Sequence, residues 1–193
     1  MTGNDIVDLA SAASESHWKR KGFLEKLFTA EEQRYIRSAA SPELIVWRMW
    51  TMKESAYKIY TQQHGGRFFA PQKFNCRILS TILGEVIFRE HIYQTQTQCT
   101  AEYVYSIAGV KALGLNPFLN TCFTVSGHSY PATANFVYQK IIADYARATD
   151  QKKTNYTLAK DRNYVPFLYN KADRYCIPIS ITHHGRYAAF TIN

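Results

Sequence analysis

The run from Ser41-Pro42 to Gly65-Gly66 constrains the fold more than any other part of this chain. Pro42 suits the first position of a helix, where its missing N–H costs nothing, and a glycine pair suits the residues just past the last turn. Between these bounds Ile45, Trp47, Met49, Trp50, Met52 and Tyr57 spread apolar surface over most of a helical circumference. A helix of that kind belongs inside a protein. The pattern predicts a long central helix to about Gln63.

The rest of the chain supplies what could cover it. Residues 5–9 read as a short strand, 14–28 as one or two helical turns around Gly22, and Thr29-Ala30-Glu31-Glu32 as a capping box opening a helix to about Arg37. After Pro71 the pattern turns extended. Residues 74–81, 85–93 and 100–110 read as strands, with Leu83-Gly84-Glu85 as the first turn and 118–125 as a fourth strand. Pro131 opens a helical pattern with Val137, Ile141 and Tyr145 four apart. Residues 150–155 form a polar linker, and 177–182 with 187–192 a closing hairpin. No internal repeat is evident. The class expected is α+β, a long helix packed on a small antiparallel sheet, in one domain over 1–193.

Composition narrows the partners. A net charge of +8 predicts acidic ones. No homeodomain, zinc-finger or RNP-type signature accompanies it, so a nucleic-acid-binding module rests on charge alone. Cys76, Cys99, Cys122 and Cys176 lack Cys-x-x-Cys spacing, and His17, His64, His91 and His128 show no pairing that suggests zinc. No run of 18 apolar residues occurs, and the start, with Asp5 and Asp8, does not read as a signal peptide. The expectation is a cytoplasmic protein with free thiols and no membrane partner.

Within the central helix, Glu54 and Lys58 are four residues apart and share a face. At the N-terminus, Gly3-Asn4-Asp5 puts a carboxylate on a β-branched run. Two carboxylates and a lysine from a strand and a helix can hold Mg²⁺ and a phosphate between them, which is the chemistry of phosphoryl-group transfer. The same residues also read as a capping Asp and an exposed Glu–Lys pair worth only tenths of a kcal/mol.

The segments Gly3-Asn4-Asp5 and Trp50-Thr51-Met52-Lys53-Glu54-Ser55-Ala56-Tyr57-Lys58 resemble the 4′-phosphopantetheinyl transferase superfamily. Phe28-Thr29-Ala30-Glu31-Glu32, Gly65-Gly66-Arg67 and Ile179-Ser180-Ile181-Thr182-His183 fall in the family's order, so the resemblance spans residues 1 to about 110 and 176–193. It implies transfer of 4′-phosphopantetheine from coenzyme A to a serine of an acidic apo acyl or peptidyl carrier protein, as in fatty acid biosynthesis, releasing 3′,5′-ADP. It implies Asp5 and Glu54 as the Mg²⁺ ligands, Glu54 and Lys58 as the catalytic pair, and Lys58 and His183 as coenzyme contacts; Lys53, on a different face of the helix from Lys58, is expected to meet a coenzyme phosphate or a carrier acid.

Three departures from the family pattern stand out. Residues 111–175 have no counterpart and read as an insertion, which bears on the homotrimer of the family's short class. Val7 stands where the long class has another metal carboxylate, and Asp8 reads as a helix-start residue. Ala10 and Ser11 stand where the short class carries basic residues. Trp18-Lys19-Arg20-Lys21 is then either a displaced carrier-docking cluster or a solvated face. The rival to the enzyme is a catalytically silent protein of the same fold that binds a coenzyme A-like ligand or a protein partner.

Overall fold

A computed structural model describes residues 1–125 and 130–193. His128, expected to have no metal partner, lies outside the described residues. The chain opens with β1 (Thr2–Asp8), followed by α1 (Leu9–Glu15), α2 (Phe23–Leu27), α3 (Ala30–Ser38) and α4 (Pro42–His64). Four strands follow: β2 (Asn75–Ile78), β3 (Leu83–Phe88), β4 (His91–Cys99) and β5 (Tyr103–Val110). They form an antiparallel sheet with β1 in the order β1-β5-β4-β3-β2. Residues 111–193 supply β6 (Leu119–Thr124), α5 (Tyr130–Ala148), β7 (Tyr156–Lys160), β8 (Pro166–Asn170), β9 (Tyr175–His184) and β10 (Tyr187–Ile192). Their strands form a second antiparallel sheet, β6-β10-β9-β8-β7. Among the described residues no helix is long and apolar enough to cross a membrane.

The two orders are the same order. In each, the first strand pairs with the last, and the chain meanders back to the second strand at the far edge. In each, helix separates the first strand from the second. The long-helix-on-sheet expectation holds for the first unit, and the segment expected as an insertion supplies most of the second.

Two cores result. Val46, Met49, Met52, Ala56 and Ile59 of α4 pack on Val86, Tyr93, Val104 and Ala108 of the first sheet. Val137, Ile141 and Tyr145 of α5 pack on Leu168, Ile179 and Phe190 of the second. β1 is buried along its whole length because it lies between α4 and the second sheet. Alternation divides its side chains accordingly: Val7 joins the α4 core, while Ile6 joins Tyr105, Ile107, Tyr187 and Ala189 between the sheets. At the outer end of this seam Thr2 Oγ1 and Thr191 Oγ1 are 3.1 Å apart.

The structure revises several element boundaries. The stretch read as one strand over 85–93 is two, β3 and β4, with the chain reversing at Arg89 (φ 54°) and Glu90. Leu83-Gly84-Glu85 is not a turn but the start of β3; the reversal lies at 79–82, where Leu79 N–H donates to Leu83 C=O. Gly84 serves a close approach instead, since a Cβ there would lie 2.5 Å from Met52 Cε.

Candidate active site

The site forms where β1 crosses α4. A Cβ at Gly3 would overlap the carbonyl oxygen of Ser55, so glycine lets the strand lie directly on the helix backbone. Ser55, itself small, donates from Oγ to the Ser106 carbonyl of β5 at 3.0 Å. This packing explains the Gly and Ser positions of the two motifs before any chemistry is invoked. It brings Asp5 to Lys58: Lys58 Nζ donates to Asp5 Oδ1 at 3.0 Å and to the Asn4 carbonyl at 2.7 Å. Thr182 of β9 donates to the same Oδ1 at 2.9 Å. Among the described residues no hydrogen bond reaches Asp5 Oδ2.

Glu54 lies beside this pair. Its helical neighbour Lys58 is committed to Asp5, and among the described residues no hydrogen bond or ion pair reaches Glu54. Burial, and then the negative charge of Asp5, push its carboxyl up to about 7; Lys58 pulls weakly the other way. A carboxyl held half-protonated at neutral pH, beside a second carboxylate, is a place a cation would relieve. Two carboxylates without a third acid suit Mg²⁺, which keeps waters and takes substrate oxygens. Asp5 and Glu54 therefore fit that ion.

Two cavities meet here. One, of about 420 Å³, runs from Glu54 along Lys58 and Thr61 of α4, closed on its other side by Tyr138 of α5, Tyr164 of the β7–β8 turn and Ile181 of β9. The other, of about 590 Å³, opens over Asp5, Trp47 and Trp50 toward Arg20, Lys21 and Phe69. Glu54 and His183 line both. Burial, and then the charges of Lys58 and His184, hold the His183 ring below the ordinary histidine range, which favours the neutral imidazole.

The turn after His183 is fastened to the end of β1. Asp8, fully buried, accepts from Arg186 Nε and Nη2 and from the Arg186 backbone N–H, each at 2.9 Å. It also caps α1, accepting from Ala10 N–H at 3.0 Å, as its helix-start reading required. Asp8 N–H donates to His184 Nδ1 at 3.1 Å, which places that ring's proton on Nε2. The bonds to Arg186 hold the Asp8 carboxyl well below the usual carboxylate range. Asp8 thus contributes stability that is present above about pH 4 and lost as pH falls below it and the carboxyl protonates. Asp8→Asn should flatten that acid limb and cost about 2 kcal/mol at pH 7. Urea titrations of both proteins at pH 3 to 7 check this; parallel pH profiles would refute it.

Lys53 is a correction. Expected at a coenzyme phosphate, it is 1% exposed and points away from the site. Its ammonium donates to Glu32 Oε2 at 2.8 Å and to the carbonyls of Pro71 (3.0 Å) and Phe74 (2.7 Å). All three ammonium protons are consumed, so Lys53 has none for a ligand. Sequence reasoning also passed over Thr182 and Arg186. Thr182 lies within the quoted Ser-x-Thr-His stretch, and Arg186 three residues beyond it.

Among curated proteins none matches the chain. A family model described as 4′-phosphopantetheinyl transferase superfamily matches residues 1–116, which include β1, α4 and the whole first sheet. With that match covering more than half of the 193 residues, the chain belongs to the 4′-phosphopantetheinyl transferase superfamily.

Proposed function

We propose that the chain moves 4′-phosphopantetheine from coenzyme A to a serine of an acidic apo carrier protein, with Mg²⁺, releasing 3′,5′-ADP. Family membership carries phosphopantetheinyl transfer in general; donor, cation and acceptor are this reading's own. One observation carries it: Glu54 and His183 stand where two cavities meet, as a two-substrate transfer requires. The 420 Å³ cavity sets Lys58, Arg67 and Lys160 against one acid, Glu54, among tyrosine rings, which suits a phosphorylated nucleotide. The other opens to a basic, aromatic rim, which suits an acidic protein presenting a hydroxyl.

In this reading Asp5 and Glu54 hold the cation, which when bound neutralises charge on the donor's diphosphate. The serine Oγ forms a bond to the β-phosphorus, the bond from that phosphorus to the bridging oxygen breaks, and 3′,5′-ADP leaves with the oxygen. Glu54 takes the serine proton, directly or through a water. Lys58 meets charge growing on the transferring group, and Asp5 and the Asn4 carbonyl fix its ammonium in advance. His183 offers a ring N–H to the donor.

Both walls of the donor cavity come from one chain, which supports a single 1–193 domain and leaves no need for a trimer to complete the site. The four unpaired cysteines suit a reducing compartment, where the reaction is placed. Incubation with coenzyme A, Mg²⁺ and apo carrier, read by intact mass, should add one phosphopantetheine per carrier. An unchanged carrier mass with coenzyme A bound would establish the binding-only protein instead.

The rim makes a second expectation. Lys19, Arg20 and Lys21 are exposed, and Arg20 and Lys21 line the acceptor cavity. Rim charges act mainly on association. Reversing all three should raise the carrier KM about tenfold at low salt, flatten its salt dependence, and leave coenzyme A affinity unchanged. Steady-state kinetics across ionic strength measure this; a wild-type carrier KM at low salt returns the cluster to a solvated face.

A further inference from the structure

Residues 65–70 leave the end of α4 and line both cavities, Gly66 and Arg67 the one and Phe69 the other. Gly65 and Gly66 take φ of 69° and 73°, where an L side chain is strained, and the chain breaks off the helix within two residues. Phe68 is then pinned. Its N–H donates to Tyr57 Oη at 3.2 Å, and its ring packs on Tyr57, Tyr60, Phe74 and Phe88 with centroids 5.3, 5.7, 6.2 and 5.8 Å away.

The residues on either side of this anchor serve different cavities. Arg67 lines the 420 Å³ cavity, its guanidinium 5.6 Å from the Tyr164 ring centroid. Among the described residues it has no carboxylate partner. A guanidinium held over a ring by its face keeps its in-plane N–H groups for an anion. Phe69 lines the other cavity, 64% exposed, with Lys26 Nζ 5.2 Å from its ring centroid. An exposed phenyl flanked by a cation is an apolar contact with an electrostatic collar, suited to a protein surface rather than to a small anion.

Resting on the transfer reading above, we infer that this one loop reads both substrates: Arg67 the phosphate on the donor's ribose, and Phe69 the acceptor protein beside its serine. Position selects the phosphate. Arg67 follows the end of α4 and stands over Tyr164 of the β7–β8 turn, on the side of the cavity across from α4. Lys58, one turn from Glu54, is the cation near the diphosphate. Arg67, held on Tyr164 across the cavity, is left for the remaining phosphate of a 3′-phosphorylated nucleotide.

The test is a double dissociation, using the full chain, coenzyme A, 3′-dephospho-coenzyme A and an apo carrier. Arg67→Ala should raise the KM for coenzyme A about tenfold or more, since a charge-assisted hydrogen bond is lost, while moving that for the dephospho donor less than about twofold. Phe69→Ala should raise the carrier KM about tenfold and leave both donors unchanged. Arg67→Gln and Phe69→Leu repeat each arm with less change of volume, and circular dichroism checks the fold. Equal effects of Arg67→Ala on both donors, crossed effects, or an unmoved carrier KM in Phe69→Ala would overturn the inference. Calorimetry of 3′,5′-ADP with the wild type separates the levels. A wild type that neither binds it nor transfers refutes the transfer reading, whereas one that does both, with variants that fail to dissociate, refutes only the role of the loop.

Discussion

Glu54→Gln is expected to lower kcat for transfer by at least about 10² while making the protein harder to melt. Loss of a cation ligand and proton acceptor accounts for the first effect. The second follows from the wild-type carboxyl, which ionises near 4.5 in an unfolded chain and at about 7 when folded. Its contribution to stability is greatest below pH 4.5, falls as pH rises, and levels off above 7, where holding the charge in the fold costs up to about 3 kcal/mol. The neutral amide removes that cost. In the absence of divalent cations the variant should melt at least about 3 °C above wild type at pH 8 and close to it at pH 5. Added Mg²⁺ should raise the wild-type melting temperature, more at pH 8 than at pH 6, because binding must displace the proton. Thermal unfolding with and without Mg²⁺ measures all of this. Retained activity, or a melting difference independent of pH, would remove Glu54 from the assigned role.

The second large effect lies away from the reaction. Lys53→Met should cost about 3–5 kcal/mol, because it leaves the Glu32 carboxylate buried without its counter-charge. That carboxylate joins three elements. It accepts from Thr29 N–H at 2.8 Å, completing the cap of α3, from Lys53 of α4 at 2.8 Å, and from Cys76 N–H of β2 at 2.7 Å. A fall in melting temperature of about 10 °C or more is expected. Adding Glu32→Gln should recover part of it, since the stranded charge goes too. Nucleotide affinity of the folded fraction should not change. A stable Lys53→Met variant with weakened 3′,5′-ADP binding would restore the coenzyme role that burial argues against.

The ends of α4 were legible because capping chemistry is local. Pro42 begins it and Gly65 follows its last residue, and the Thr29–Glu32 box forms as its spacing requires. Asp5, Glu54 and Lys58 were legible as a set, and the fold brings them together. What escaped depends on partners distant in the chain. Lys53 and Lys58 are equally plain lysines in sequence; only the neighbours of each helical face decide that one is a buried strut and the other borders a cavity. β4 was missed because its run Gln94-Thr95-Gln96-Thr97-Gln98 lacks apolar alternation and Arg89 supplies a left-handed turn without glycine. β7 and β8 were missed because their turn is organised by Asp161, which accepts from the backbone of Asn163 and Val165. The repeated sheet order left no trace in the sequence, since among the described residues four α-helices occupy the first unit where α5 occupies the second.

The contact between Thr2 and Thr191 has a consequence for how this architecture can be cut. Thr2 of β1 and Thr191 of β10 touch at the seam between the sheets, so a short linker would bridge these two strands without disturbing either one. The connection between units, from Lys111 to Phe118, is largely exposed and carries no strand. A circular permutant closed at the first place and opened at the second would place β6–β10 ahead of β1. Gly3-Asn4-Asp5 would then fall mid-chain, with every strand pairing kept. Which half is made first would be a property of the gene and not of the fold.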